Sequence, residues 1–343
     1  MAKILIIRLS AIGDVALTIP VVYSAAKANP DDHFTILTNA FLLPIFINRP
    51  INVNIVGINT KGTEHSLGGL LRFAKAYAQY DFNIVLDLHN VLRTKLIRLL
   101  FRIYGKKVFV INKSYRQRRK LTRAKNKVLT PIRHVIDRYA DTIIAAGLNY
   151  ADTFDSLIPP DYSPTGLDIL PKPNGIKWIG IAPFAKHKGK IYPLEKMEEV
   201  VRSLSSTANV EIYLFGGGKD ELSTLKTWAE RYPHTHNVAG KYSLNNELCL
   251  ISQMDLLICM DSANMHFASL VKAPILPIWG ATHPFCGFFG YRQSPANAIQ
   301  EDLPCRPCSI YGDKPCRTKD WACMQKIPPE RIVTEALKRT FNK

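Results

Sequence analysis

Short, unbroken apolar runs alternate with amphipathic stretches along most of the chain. Lys3 to Ile7 (Lys-Ile-Leu-Ile-Ile) and the runs at 34–37, 53–58, 84–88 and 108–111 have the continuous apolar character of strands covered on both faces of a parallel sheet. Helical spacing falls between or beyond them, at 15–27, 67–80, 91–104 and 135–146. The alternation then repeats, with strands predicted at 178–182, 210–215, 255–260 and 275–279 and helices at 194–204, 221–232 and 263–271. Strand-helix-strand order of this kind predicts doubly wound α/β domains.

Between the two series lies a stretch with no apolar period that holds Pro159, Pro160, Pro164, Gly166, Pro171, Pro173 and Gly175. It reads as a linker. The expected organisation is therefore a first Rossmann-like domain at 1–158, a linker at 159–175, a second such domain at 176–327 and a last helix within 328–343. That helix opens on a proline pair suited to a first turn and is expected to pack back on the first domain. Two such halves place a ligand cleft at the carboxyl ends of their strands, so the loops that follow strands are where chemistry should be sought.

The length of 343 residues and the 47% hydrophobic content suffice for two cores and exclude disorder as the main theme. No apolar run is long enough to span a bilayer, and Ile4 to Ile7 is too short for a secretory h-region, so the chain reads as cytoplasmic. The net charge of +17 changes the picture because it is localised. From Arg93 to Arg133 there are fifteen Lys and Arg residues and no Asp or Glu. Such a patch suggests phosphates, carboxylates or anionic lipid headgroups as partners, with a peripheral attraction to the inner face of the membrane.

Four loops carry candidate chemistry. The first, Arg8 to Asp14, holds Ser10, Gly13 and Asp14 between a strand and a helix, and Gly13 would permit close backbone approach or positive φ. It is not a GxGxxG fingerprint, and no P-loop occurs. The second, 182–193, carries Lys186, His187, Lys188 and Lys190 around Gly189 and suits a diphosphate. The third opens a helix with Gly216, Gly217 and Gly218, followed by Asp220 and Glu221, acids that could bind ribose hydroxyls. In the fourth, a buried strand ends in Asp261; Ser262 can cap a helix starting at Ala263, with His266 on the same side of the first turn. Gly280 and Thr282 follow the next strand. Taken one at a time, each loop could also be an ordinary cap, strand-to-helix turn or solvated charge run.

Together, Ser10-Ala11-Ile12-Gly13-Asp14, Lys190-Ile191-Tyr192-Pro193, Asp261-Ser262-Ala263-Asn264-Met265-His266 and Trp279-Gly280-Ala281-Thr282 resemble, in order and spacing, the lipopolysaccharide heptosyltransferases of glycosyltransferase family 9. The similarity runs over essentially the whole chain. It implies the GT-B architecture of two facing Rossmann-like domains, and inverting, metal-independent transfer of heptose from an ADP-activated donor to the inner core on lipid A. Residue by residue, it implies that Asp14 is the general base and Lys190 the phosphate-contacting lysine. Asp261, Ser262, Ala263 and His266 would form the donor loop, Asp220 or Glu221 the ribose-side acid, and Tyr242 would hold the adenine. The chain departs from the family at Tyr192, where Trp is common, and at Ser262-Ala263, where Thr-Gly is common. The donor set is thus Ser10, Gly13, Lys186, Lys190, Gly217, Asp220, Glu221, Tyr242, Asp261, Ser262, Ala263, His266 and Thr282.

For an anionic, Kdo-lipid A-like acceptor the expected contacts are His89, Arg93, Lys113, Arg116, Arg119 and Lys120, with Asp87 near them. Cys305-x2-Cys308-x7-Cys316-x6-Cys323 opens like a metal site, and four thiolates would suit a structural zinc; free or redox-paired thiols are the alternative. Two other functions remain on the sequence: a protein that binds a nucleotide sugar without turnover, and a basic RNA-binding protein. The second lacks interleaved aromatics and any RNP or KH signature, so nucleic acid is not an expected partner.

Overall fold

The computed structural model describes residues 1–59, 62, 66–78, 80–159, 162 and 171–341. Most of the expected linker, at 160–161 and 163–170, lies outside the described residues. The chain forms two compact units, Met1–Ser114 with Arg133–Leu157, and Tyr115–Ile132 with Ile158–Lys343. The segment 115–132 therefore belongs to the second unit, whereas the sequence boundary at 158 had it in the first.

The first unit runs β1 (Lys3–Ile7), α1 (Ile12–Ala16), α2 (Thr18–Ala28), β2 (His33–Asn39), β3 (Val53–Ile58), α3 (Leu67–Ala78), β4 (Ile84–Asp87), α4 (Leu92–Ile103) and β5 (Lys107–Val110). After α5 (Tyr115–Thr122), which the second unit claims, the chain returns with α6 (Val135–Ala145). The strands form one parallel sheet, β3-β2-β1-β4-β5, with Ile6 level with Ile36 on one side and Leu86 on the other. Ile4 to Ile7 are fully buried, which is why β1 reads as an unbroken apolar run. The helix expected at 15–27 is two helices joined at Leu17. Pro20 accounts for the second start: it has no N–H to continue a ladder, and the break places it in the first turn of α2.

The second unit continues from α5 with β6 (Lys177–Ala182), α7 (Leu194–Ser205), β7 (Val210–Leu214), α8 (Lys219–Arg231), β8 (Thr235–Asn237), α9 (Leu244–Ser252), β9 (Leu256–Met260) and α10 (Ala263–Leu270). It ends with β10 (Ile275–Trp279), β11 (Ile299–Gln300), α11 (Ala322–Gln325) and α12 (Pro329–Phe341). Its parallel sheet has the order β11-β10-β9-β6-β7-β8. β6, β9 and β10 are thus neighbours, and the loops leaving their carboxyl ends must meet. The last helix packs within this unit: Ile332 and Ala336 share one buried cluster with Met197, Val200 and Val201 of α7. Its apolar stripe is consumed there.

The seating of α5 has a specific cause. Leu121 and Ile132 close a small core with Cys286, and the Ile132 N–H bonds Phe285 O at 2.9 Å. Arg118 is buried, donates to Tyr311 Oη at 2.7 Å and lies over the rings of Phe288 and Tyr311 at 5.3 and 5.7 Å. Lys127 donates to the carbonyls of Cys305 and Pro307 at 2.6 and 3.1 Å. Two of the fifteen basic residues are therefore fasteners. Arg118→Ala should lower the unfolding free energy of the protein by about 2 kcal/mol, from one lost hydrogen bond and two lost ring contacts, as read from a urea transition.

Candidate active site

The strand order brings the Lys190, Asp261 and Thr282 loops together. Lys190 Nζ lies 2.8 Å from Asp261 Oδ2, and Thr282 Oγ1 donates to the same oxygen at 2.8 Å. Asp261 and Thr282 are buried and Lys190 is mostly so. Removing one partner of such a pair leaves a buried charge, at a cost of about 3–5 kcal/mol. The loops are locked to each other by backbone: Ala281 N–H bonds Gly189 O at 2.8 Å. A Cβ at Gly280 would stand 2.7 Å from Gly189 O, and one at Gly312, where φ is +75°, 2.7 Å from Lys190 Cγ, so glycine is required at both. From beneath, the buried Arg306 holds the carbonyls of Gly280 and Thr282 at 2.5 and 2.9 Å. The sequence reading missed Arg306 and Gly312, since nothing local marks an arginine in a Cys-rich loop as a carbonyl clamp.

Asp261 leads directly into α10, whose first N–H groups have no partner within the helix. Ser262 occupies the N-cap position but does not cap: its side chain makes no such bond, and its buried Oγ has no partner among the described residues. The expected cap is corrected accordingly, because the Ser262 backbone carries the turn without the hydroxyl. Ala263 begins the helix and is half-buried, while His266 is buried one turn on. Lys190 and the Thr282 hydroxyl thus converge on one carboxylate at the start of α10, and that carboxylate balances the charge of the lysine.

The other donor candidates divide. Glu221 turns back on its own loop, accepting from Gly217 N at 2.8 Å and Gly218 N at 3.1 Å, whereas Asp220 is exposed. Lys186 is exposed and Tyr242 half-buried. Tyr192 is fully buried, its hydroxyl donating to Ile327 O at 2.8 Å, so the departure from Trp is met by a hydrogen bond inside the core.

In the first unit, Asp14 stands in the first turn of α1, and its Oδ2 lies 2.5 Å from a guanidinium nitrogen of Arg8. Arg8 is itself buried, donating to Leu88 O at 2.8 Å and lying over Tyr139 at 6.0 Å. The Asp14 carboxylate is thereby aimed by a fixed cation, a pairing that the loop sequence does not mark. Gly13 is buried within α1 and has no positive φ. Ser10 is exposed, its Oγ 3.5 Å from His89 Nε2.

His89 is buried, and burial first, then Arg8 and Lys113, push its pKa down to about 2. The ring is neutral at ordinary pH and accepts no proton there. Burial and Arg306 likewise push His283 of the second unit down to about 4. For both, the unfolded chain binds a proton below about pH 6.5 that the folded chain refuses. Stability is therefore present above pH 6.5 and lost as pH falls below it, by up to ~1.4 kcal/mol per pH unit and group. Urea midpoints should fall between pH 7 and pH 5, and His89→Asn should flatten the fall.

The acceptor candidates are split between the units. His89, Arg93 and Lys113 lie in the first; Arg116, Arg119 and Lys120 are exposed on α5 and lie in the second. Asp87 is fully buried and engaged inside the first unit, accepting from His89 N and Asn90 N at 3.0 and 2.7 Å and from Arg98 at 3.0 Å. It is a brace for the loop that carries His89.

The zinc expectation is corrected. Cys305, Cys308, Cys316 and Cys323 are free, and among the described residues no three His, Cys, Asp or Glu side chains converge as a metal site. Cys308 Sγ donates to Cys305 O at 3.2 Å, Cys316 Sγ is 3.3 Å from Thr318 Oγ1, and Cys323 is spent in the apolar core. Among the described residues no helix is long and apolar enough to cross a membrane.

Residues 70–321 match the family model for glycosyltransferase family 9 (heptosyltransferase). Lipopolysaccharide heptosyltransferase 3 of Escherichia coli K12 is 25% identical over 283 residues, 79% of this chain and 80% of that protein. Among solved structures, a family 9 glycosyl transferase from Veillonella parvula superposes with a TM-score of 0.73 at 20% identity, over 100% of this chain and 98% of that one. The E. coli heptosyltransferase WaaC with ADP superposes with a TM-score of 0.65 at 15% identity, over 90% of this chain and 96% of that one. These structures share the GT-B-like α/β fold with two parallel sheets. With the matched region running through the Lys190, Asp261 and Thr282 loops, the chain belongs to glycosyltransferase family 9, the heptosyltransferases, and is a glycosyltransferase.

Proposed function

We propose that the protein transfers heptose from ADP-heptose to the inner core of a lipopolysaccharide, with inversion at the anomeric carbon. The observation that carries this reading is the Lys190–Asp261–Thr282 cluster at the start of α10, built from three separate loops. The second unit binds the activated sugar, and Lys190 with the α10 N–H groups neutralises the charge that grows on the diphosphate as the glycosidic bond breaks. Asp261 holds the lysine in place, and Thr282 holds Asp261. Asp220 or Glu221 is the ribose-side acid, Tyr242 is the adenine contact, and Ser262, Ala263 and His266 line the donor loop. The named relatives support this choice of donor and acceptor: one is a lipopolysaccharide heptosyltransferase and one was solved with ADP.

The first unit activates the acceptor. Asp14 takes the proton of the acceptor hydroxyl as its oxygen attacks the anomeric carbon on the side opposite the departing ADP. A carboxylate is a weak base, so its efficiency depends on orientation, and Arg8 supplies that orientation. Neutral His89 does not compete for the proton, and Ser10 and Gly13 shape the turn that presents Asp14. Arg93 and Lys113 in the first unit and Arg116, Arg119 and Lys120 in the second bind acid groups of the acceptor. No step in this scheme is assigned to a metal.

The test is transfer from ADP-heptose of defined anomeric configuration to a Kdo-bearing lipid A acceptor, with the product linkage read by NMR. Inverted product is expected; retained configuration, or ADP binding with no transfer to any core acceptor, would refute the reading. The second outcome would make the protein a nucleotide-sugar binder.

A further inference from the structure

We propose that the outward face of α4 docks the protein on an anionic lipid bilayer. The helix, Leu-Arg-Thr-Lys-Leu-Ile-Arg-Leu-Leu-Phe-Arg-Ile, is apolar on two opposite sides. One side is spent: Thr94, Ile97 and Phe101 are buried against the sheet of the first unit. On the other, Leu92, Leu99 and Ile103 are 72%, 53% and 71% exposed, and half-buried Leu96 continues the line. The positions run i, i+4, i+7, i+11, so the four side chains form one stripe along the helix. A stripe of large apolar side chains turned to water marks an interaction surface.

The charge around the stripe identifies the occupant. Lys95 and Arg102 are exposed on one flank, whereas Arg98 is drawn inward to Asp87 at 3.0 Å and Asn90 at 3.1 Å. No Asp or Glu occurs anywhere from 88 to 136. An apolar stripe edged by cations fits the boundary between acyl chains and anionic headgroups, with the leucines below the phosphates and the lysine and arginine among them. A second copy of the chain fits poorly. Stripe-on-stripe pairing of two α4 helices would bring Lys95 and Arg102 of both copies together, with no carboxylate on either helix to neutralise them.

Docking through α4 deepens the reading of the acceptor as a glycolipid, because it keeps the enzyme at the surface that holds its substrate. Binding is measured without donor or acceptor, so the two ideas fail separately. The full-length protein is sedimented with vesicles of phosphatidylcholine alone or of phosphatidylcholine mixed with phosphatidylglycerol. The wild type should pellet with the mixed vesicles and stay in solution with the neutral ones. Leu99→Glu with Ile103→Glu should weaken the partition by about tenfold or more, and Lys95→Ser with Arg102→Ser by about tenfold. All four side chains are exposed, so both variants should melt like the wild type. Equal pelleting with both lipids, or unchanged partition of the variants, would overturn the proposal. So would a wild-type dimer that Leu99→Glu dissociates with no effect on vesicle binding.

Discussion

Asp14→Asn should lower kcat by about 100- to 10,000-fold while leaving ADP affinity within about twofold, because a general base contributes that much and nothing in the donor cluster changes. Asparagine keeps the length of the side chain and can still accept a hydrogen bond from Arg8, but it cannot take up the proton of the acceptor. The variant also leaves the buried Arg8 guanidinium without its counter-charge. Some loss of stability must therefore accompany the loss of rate, and the two are separated by comparing the thermal midpoint with kcat. Arg8→Lys supplies the second half of the test. A lysine keeps the charge and loses the fork that joins Leu88 O and Asp14, so kcat should fall while the folded fraction holds. An Asp14→Asn enzyme turning over at the wild-type rate would remove Asp14 from the mechanism.

The second large effect lies in the other unit. Lys190→Met should cost about 100- to 1,000-fold in kcat, the range for losing one preorganised charge from a developing anion. It should also lower stability by about 3–5 kcal/mol, because Asp261 keeps the Thr282 hydrogen bond but is left buried without its cation. The two losses have different remedies. Adding Asp261→Asn to Lys190→Met removes the stranded charge, so the double variant should regain most of the stability and none of the rate, measured by urea denaturation and steady-state transfer. Recovery of both would make the lysine a structural partner of Asp261 and nothing more.

How much of this could be read in the sequence differs from loop to loop for identifiable reasons. Strands buried on both faces, such as β1 and β9, print an unbroken apolar run, and their parallel order follows from the helices between them. Residues at the carboxyl ends of those strands, Asp14, Lys190, Asp261 and Thr282, could be found because strand-to-helix loops carry function in this fold class. Convergence was another matter. That Thr282 bonds Asp261, or that Arg306 grips Gly280, depends on strand order and on a loop more than twenty residues away, which no local pattern records.

The basic stretch misled in a physical way. Tyr-Arg-Gln-Arg-Arg-Lys-Leu-Thr has almost no apolar period, so α5 could not be seen, and its membership of the second unit rests on Leu121, Ile132 and a buried Arg118. Charge density does not distinguish an arginine that binds a ligand from one stacked on Phe288 and Tyr311. The four cysteines misled similarly. Spacing suggested a metal, but Lys127 and Arg306 hold their loop through backbone carbonyls, and among the described residues the thiols do not converge as a metal site.

The most direct measurement is a calorimetric titration of ADP, UDP, GDP and CDP into the wild-type protein and into Lys190→Met. ADP should bind tightest, and Lys190→Met should weaken it by about tenfold or more, the worth of one charge-assisted contact to a phosphate. Four nucleotides bound equally well, or ADP held as firmly without the Lys190 ammonium, would contradict an adenosine-diphosphate sugar seated at the head of α10.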